Sequence, residues 1–180
     1  MALDILLFYF INSFVFRNVY FDGAAIFLVH YLPFVLIGVV FIFLFYNFKK
    51  YWRMLLKAFA AGLLSFCSAQ VIGALFYRSR PFLVAGVKNI LAHSPSPSFP
   101  SSHATVLFAI ATVVVLYNKK AGTLFLILAG LVSLARVFCA VHWPSDIMGG
   151  MTIGILSALL IHYLWQKFWP ILKQKIPQLT

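Results

Sequence analysis

The sequence predicts an all-α membrane protein: a polytopic transmembrane helical bundle of five spans, with a short interfacial or re-entrant helix at its N-terminal end. Three observations predict it. Of 180 residues, 63% are hydrophobic and only 9% are charged, against roughly 25% charged in soluble domains. Five apolar runs approach the length of about 20 residues that a bilayer crossing needs. The basic residues cluster at alternate connections between those runs, as membrane topology demands. The length suits one compact unit, so residues 1–180 are read as a single membrane-embedded domain.

Taken in order, Leu3–Phe16 ("LDILLFYFINSFVF") is apolar but short, which suits a helix lying in the interface or turning back; a sixth span is the alternative. Ala24–Tyr46 is the first span, with His30 and Pro33 read as a packed or interfacial histidine and a kink. Met54–Tyr77 is the second. His103–Tyr117 is the third and the shortest, Ala121–Val141 the fourth and Ile147–Phe168 the fifth. Trp52, Trp143, Trp165 and Trp169 fall near the predicted interfaces and read as anchors there. Cys67 and Cys139 lie inside apolar runs and read as buried, inert thiols. The first Lys or Arg is Arg17 and no small-residue cleavage site is evident, so no cleavable signal peptide is expected.

The net charge is +11. An apolar chain presents no soluble basic face to nucleic acid, so nucleic acid is not the expected partner; the bilayer is. Lys49, Lys50, Arg53 and Lys57 lie between spans one and two, Lys119 and Lys120 between three and four, and Lys167, Lys173 and Lys175 after five. The positive-inside rule makes that side, with the C-terminus, cytoplasmic. The connections 78–102 and 142–146 then face outward together.

Those two connections and their flanks hold the ionisable residues that fit neither lipid nor packing, and such residues at membrane depth are functional candidates by default. In "SFPSSHATVLFA", Pro100 disfavours helix before it, and Ser101 or Ser102 can cap the third helix. A helix start offers free N–H groups and a positive dipole end to an anion, with His103 in the first turn beside it. In "ARVFCAVHWPSDIMGG", Pro144 suits the first position of the fifth helix, and Asp146 falls four residues after His142. One helical turn lets that carboxylate reach the ring N–H of His142, fixing the tautomer and freeing the other nitrogen to attack. Arg136, and Arg78 and Arg80 of "FYRSRPF", can fork onto phosphate oxygens. Each stretch alone has an ordinary structural explanation: a serine cap, a carboxylate at a helix start, snorkelling arginines. Together on one face they make a cationic pocket that calls for an anion, phosphate above all.

On these residues the chain resembles the type-2 phosphatidic acid phosphatase superfamily, which includes bacterial undecaprenyl pyrophosphate phosphatases. The family carries a lysine, six residues, then Arg-Pro; next Pro-Ser-Gly-His; and last Ser-Arg, five residues, His, three residues, Asp. Here stand Arg80-Pro81, Pro100–His103 ("PSSH"), then Arg136, His142 and Asp146 at matching spacing. Three positions depart: Gly73 stands at the lysine, Ser102 at the glycine and Ala135 at the serine. Arg78 is expected to supply the charge missing at Gly73. The resemblance implies that His142 attacks phosphorus to form a phosphohistidine and that Asp146 orients it. His103 protonates the leaving oxygen and then activates water. Arg80 and Arg136, with Ser102, Ser101 and Arg78, hold the phosphoryl group. Positioning and charge stabilisation suffice for such transfer. No cofactor and no metal are implied: a two-metal site needs several carboxylates or histidines, and Asp4 and Asp22 fall outside the motifs, leaving Asp146 alone near the site.

The implied activity is hydrolysis of undecaprenyl pyrophosphate to undecaprenyl phosphate at the outer face of a bacterial cytoplasmic membrane, in recycling of the cell-wall lipid carrier. Phosphatidylglycerophosphate, phosphatidic acid or lipid A as substrate, or phosphate transfer to another lipid, are the alternatives. A transporter would thread polar residues through its spans, and these spans carry few. An inactive scaffold would have lost His103, His142 or Asp146, and all three are present.

Overall fold

The computed structural model describes residues 2–93 and 95–175, and every regular element among them is helical. Seven α-helices follow one another: α1 (Ala2–Asn12), α2 (Val19–His30), α3 (Leu32–Tyr46), α4 (Phe48–Leu75), α5 (Ser102–Tyr117), α6 (Lys119–Phe138) and α7 (Pro144–Lys175). A short 3₁₀ turn, Pro81–Leu83, interrupts the long connection between α4 and α5.

Three helices, α4, α6 and the Pro144–Ile171 part of α7, are long and apolar enough to cross a bilayer. The first predicted span is not one rod. It is the pair α2 and α3, bent by 48° at Tyr31. Pro33 has no N–H to give to the carbonyl of Val29, so the helical ladder breaks there, as expected of a proline. His30 Nδ1–H donates to the Ile26 carbonyl at 3.2 Å and stays exposed.

The 11 residues of α1 rise about 16 Å, half of a hydrocarbon core, so α1 is not a sixth span. Asn12 pins its end. That buried side chain donates to the carbonyls of Lys88 (2.8 Å) and Phe138 (3.2 Å) and accepts from the Lys88 N–H.

The 16-residue apolar helix α5, shorter than the three that qualify as spans, sits at the centre. It packs on α4, α6 and α7, with Ala104, Ala109 and Ala111 wholly buried. Small residues let α7 come close to it, as membrane helices do where no hydrophobic force drives them together. A Cβ on Gly154 would stand 2.3 Å from the Thr105 carbonyl oxygen, and one on Gly150 would stand 2.8 Å from that of Ser101. Both obstacles are backbone and cannot swing aside. Gly154→Leu is therefore expected to cost more than the about 1–3 kcal/mol of ordinary core overpacking. The check is loss of the monodisperse peak and a lowered thermal midpoint in detergent; an unchanged midpoint would refute the close packing.

Two sequence readings are corrected. Cys67 is exposed on the outer side of α4, while Cys139 is buried as expected. Trp143 is not an interface anchor: it is 9% exposed, lies 4.8 Å from the Phe8 ring, and its Nε1–H donates to the Ser79 carbonyl at 2.9 Å.

Candidate active site

The connection from α4 to α5 and the one from α6 to α7 meet over the N-terminal end of α5, and His142 lies where they meet. It is 2% exposed. Its Nδ1–H donates to the Ser98 carbonyl at 2.8 Å, so Nε2 carries the lone pair. Two guanidinium groups flank that lone pair: an Arg80 nitrogen at 3.3 Å and an Arg136 nitrogen at 3.4 Å. The ring nitrogen that carries the lone pair thus faces the place where both arginines can hold an anion.

Arg80 is buried and fixed by its surroundings. It donates to the Ser96, Pro97 and Val141 carbonyls and to Ser96 Oγ. Arg136 ends α6; it is 3% exposed, and its Nε meets no hydrogen-bond partner among the described residues. A buried guanidinium with an unused donor is costly unless something anionic arrives.

Asp146 does not bond the histidine ring as its spacing suggests. Its Oδ2 is 3.7 Å from Nδ1. It takes instead the Trp143 N–H at 2.8 Å, the reach-back of a capping box at the start of α7, and the Ser98 hydroxyl. Its Oδ1 takes Arg78 at 2.7 Å. Ser98 therefore links the two: its carbonyl holds the ring and its hydroxyl holds the carboxylate.

Arg78 departs further from expectation. It does not line the cavity and does not replace a lysine at Gly73. One arm of its guanidinium pairs with Asp146 and Ser145, the other with Asp4 at 2.6 Å. Asp4 in turn accepts the Ser145 N–H (2.8 Å) and hydroxyl (2.7 Å). So Asp4, set aside as distant, belongs to the site's outer layer. An acid within an apolar helix was the signal for it. Gly73 has its own reason: a Cβ there would lie 3.2 Å from the Phe99 carbonyl, so the 97–99 loop closes the position to a long side chain.

Of the two roles expected of Ser101, the structure shows the helix cap, and Ser101 does not line the cavity. It is fully buried, and its hydroxyl caps α5 by accepting the Ala104 N–H. Ser102 and the exposed His103 do line the cavity, which has a volume of about 350 Å³ and is shared with Arg80, Arg136 and His142. Gln70 and His93, not anticipated, complete its wall. Among the described residues no three His, Cys, Asp or Glu side chains gather as metal ligands, so fixed positive charge at the cavity comes from the arginines.

Burial, and then the charges of Arg136 and Arg80, push His142 from its ordinary 6.5 down to about 4, while Asp146 opposes the shift. The unfolded chain therefore binds more protons than the folded one between about 4 and 6.5. Stability from this group is present above 6.5 and drains away as pH falls through that window. The thermal midpoint should drop on acidification from 6.5 towards 4, and His142→Asn should drop less over the same interval. Parallel losses in both proteins would refute the depressed value.

A helical membrane bundle with two arginines and three histidines around one cavity defines a class of membrane proteins fitted to bind phosphate. Residues 50–170 match the PAP2 superfamily, and the chain belongs to that family. Among curated proteins it is 32% identical over 125 residues to YbjG of Escherichia coli K12, which carries an undecaprenyl-diphosphatase name; the match covers 69% of this chain and 63% of that one. It is 27% identical over 108 residues to the undecaprenyl-diphosphatase BcrC of Bacillus subtilis, covering 60% and 56%. The chain thus spans about six-tenths of the length of these relatives. Among solved structures, LpxE of Aquifex aeolicus superposes with a TM-score of 0.78 at 27% identity, over 91% of this chain and 96% of that one. A phosphatidylglycerolphosphate phosphatase of Bacillus subtilis shares the fold, with a TM-score of 0.66 at 23% identity over 92% and 86%.

Proposed function

We propose that the chain is a membrane lipid phosphatase that hydrolyses undecaprenyl pyrophosphate to undecaprenyl phosphate. The observation that carries the chemistry is the His142 Nε2 lone pair aimed between Arg80 and Arg136. In this reading the terminal phosphoryl group enters between the guanidiniums. Nε2 attacks phosphorus, the bond to the bridging oxygen breaks, and His103 gives that oxygen its proton. His103 then takes a proton from water, which attacks the phosphohistidine, and inorganic phosphate leaves. Asp146 offsets the charge on His142 as the N–P bond forms. The Ser98 carbonyl keeps the ring turned throughout.

The shape of the cavity supports a lipid. Ser102, His103 and Phe66 also line a second, apolar cavity under α3. Phe66, Ile37 and Val106 carry that one on into a groove of about 330 Å³ between α3, α4 and α5, lined by apolar residues down to Val40 and Leu55. A headgroup at His142 would thus have a dry path for one long chain. The relatives' names point the same way. The basic connections support an outward-facing site in a bacterial cytoplasmic membrane.

A match at 28% identity over 97 residues to a protein of Rhizobium etli named lipid A 1-phosphatase favours a second reading, a lipid A phosphatase. Phosphate release by detergent-purified protein in the presence of a chelator tests both. Undecaprenyl pyrophosphate is expected to be turned over at least about tenfold faster, in kcat/KM, than lipid A, phosphatidylglycerophosphate or phosphatidic acid, a difference of about 1.4 kcal/mol. Preference for lipid A would favour the second reading. Release from none of them, with phosphate appearing on an added lipid acceptor, would make the protein a phosphotransferase. Activity lost in chelator and restored by one metal would overturn the mechanism.

A further inference from the structure

The end of the bundle remote from His142 holds a second cluster. Along α4, Arg53 lies 17 residues before Gln70 of the catalytic cavity, about 25 Å by helix rise. There Lys57 is only 5% exposed. Its ammonium stands 3.4 Å from His162 Nδ1 and over the rings of Tyr117 (5.2 Å) and Trp165 (5.3 Å). One turn away, Arg53 lies over Trp52 (5.2 Å) and Trp169 (4.8 Å), and Trp165 and Trp169 stack 5.0 Å apart. The Arg53 Nε is buried without a hydrogen-bond partner among the described residues.

Among the described residues this cluster has no anion. The chain has three acids, and all of them lie at the catalytic end: Asp4 and Asp146 in the site, and Asp22 beside Phe16. A lysine that merely snorkels would carry its ammonium into water; Lys57 is instead packed in. Aromatic faces attract its charge, but they give neither a counter-charge nor an acceptor for the Arg53 Nε–H. No described side chain supplies the anion, and the bilayer can. Three tryptophans fit the interfacial depth of a bilayer, where the available anion is a lipid headgroup phosphate.

We propose that Arg53 and Lys57, framed by Trp52, Trp165, Trp169 and Tyr117, form a binding site for the phosphate of an anionic phospholipid in the leaflet opposite the catalytic cavity. Arg53 supplies the directed N–H and Lys57 the buried charge. The site differs from the catalytic one in ligand, leaflet and residues.

The test is the thermal midpoint of the purified protein in neutral detergent. Dioleoylphosphatidylglycerol, a diester with no terminal phosphate to release, is added at a fixed mole fraction. It should raise the midpoint by about 3 °C or more. Dioleoylphosphatidylcholine at the same fraction and inorganic phosphate should not. Arg53→Gln and Lys57→Met should each remove most of the rise while leaving phosphate release in detergent near normal. If Lys57→Met does not fold, Arg53→Gln alone decides. An equal rise with phosphatidylcholine, or a full rise in Arg53→Gln, overturns the proposal. An equal rise with inorganic phosphate overturns the lipid as the source of the anion.

Discussion

Replacing His142 with alanine should lower phosphate release by at least about 10⁴-fold, with the protein still folded. The loss is this large because only the His142 ring is seen with its nitrogen beside both guanidiniums, whereas His93 and His103 line the wall. His103 is the other imidazole for which the mechanism has a use, and its part is the proton. Arg80 and Arg136 can hold phosphate but cannot attack it. The variant should still bind inorganic phosphate or vanadate, since both guanidiniums remain. Retained turnover would move the nucleophile elsewhere; lost binding together with lost turnover would mean that the ring is needed to build the cavity. Rapid-quench trapping of an acid-labile phosphoprotein, present in the native protein and absent from the variant, separates the chemical role from the structural one.

Asp146→Asn should cost about 10²–10³-fold in kcat with little change in KM. The figure is set below the about 10⁴-fold that a serine-protease triad loses from the same exchange. There the aspartate alone fixes the histidine tautomer. Here the Ser98 carbonyl takes the Nδ1–H at 2.8 Å, and Asp146 stands 3.7 Å off. The exchange therefore removes charge that offsets the forming N–P bond, but not the ring's orientation. It also leaves Arg78 facing an amide in place of a carboxylate. A loss near 10⁴-fold would show that Asp146 governs the tautomer after all. A loss of only a few-fold would reduce it to a helix cap.

The helices were legible because each is a long apolar run between charged or turn-forming residues, and Pro33 marked the break between α2 and α3. The motif residues were legible because Arg136, His142 and Asp146 are close in sequence, and their spacing survives folding. Partners that come from far along the chain were not. Ser98 reaches His142 across 44 residues and Arg78 reaches Asp4 across 74. No periodicity records such contacts. Arg78 was assigned to phosphate because a cation beside Arg80 resembles a clamp, yet two carboxylates already hold it. The His142–Asp146 spacing misled in a smaller way: a carboxylate at the third position of α7 has its own helix start to cap, and the Trp143 N–H is nearer than the ring.

The helix α1 changes what counts as the catalytic unit. The family match begins at residue 50, and every motif residue lies beyond it. A chain trimmed to that match would keep His142, His103 and both arginines of the cavity. It would lose Asp4, the carboxylate that shares Arg78 with Asp146, and Asn12, which ties α1 to the last residue of α6. Arg78 would then press its whole charge on Asp146, weakening the one negative group that favours a positively charged ring at His142. If His142 is the nucleophile proposed above, the first dozen residues, outside the recognised family region, tune it electrically from behind.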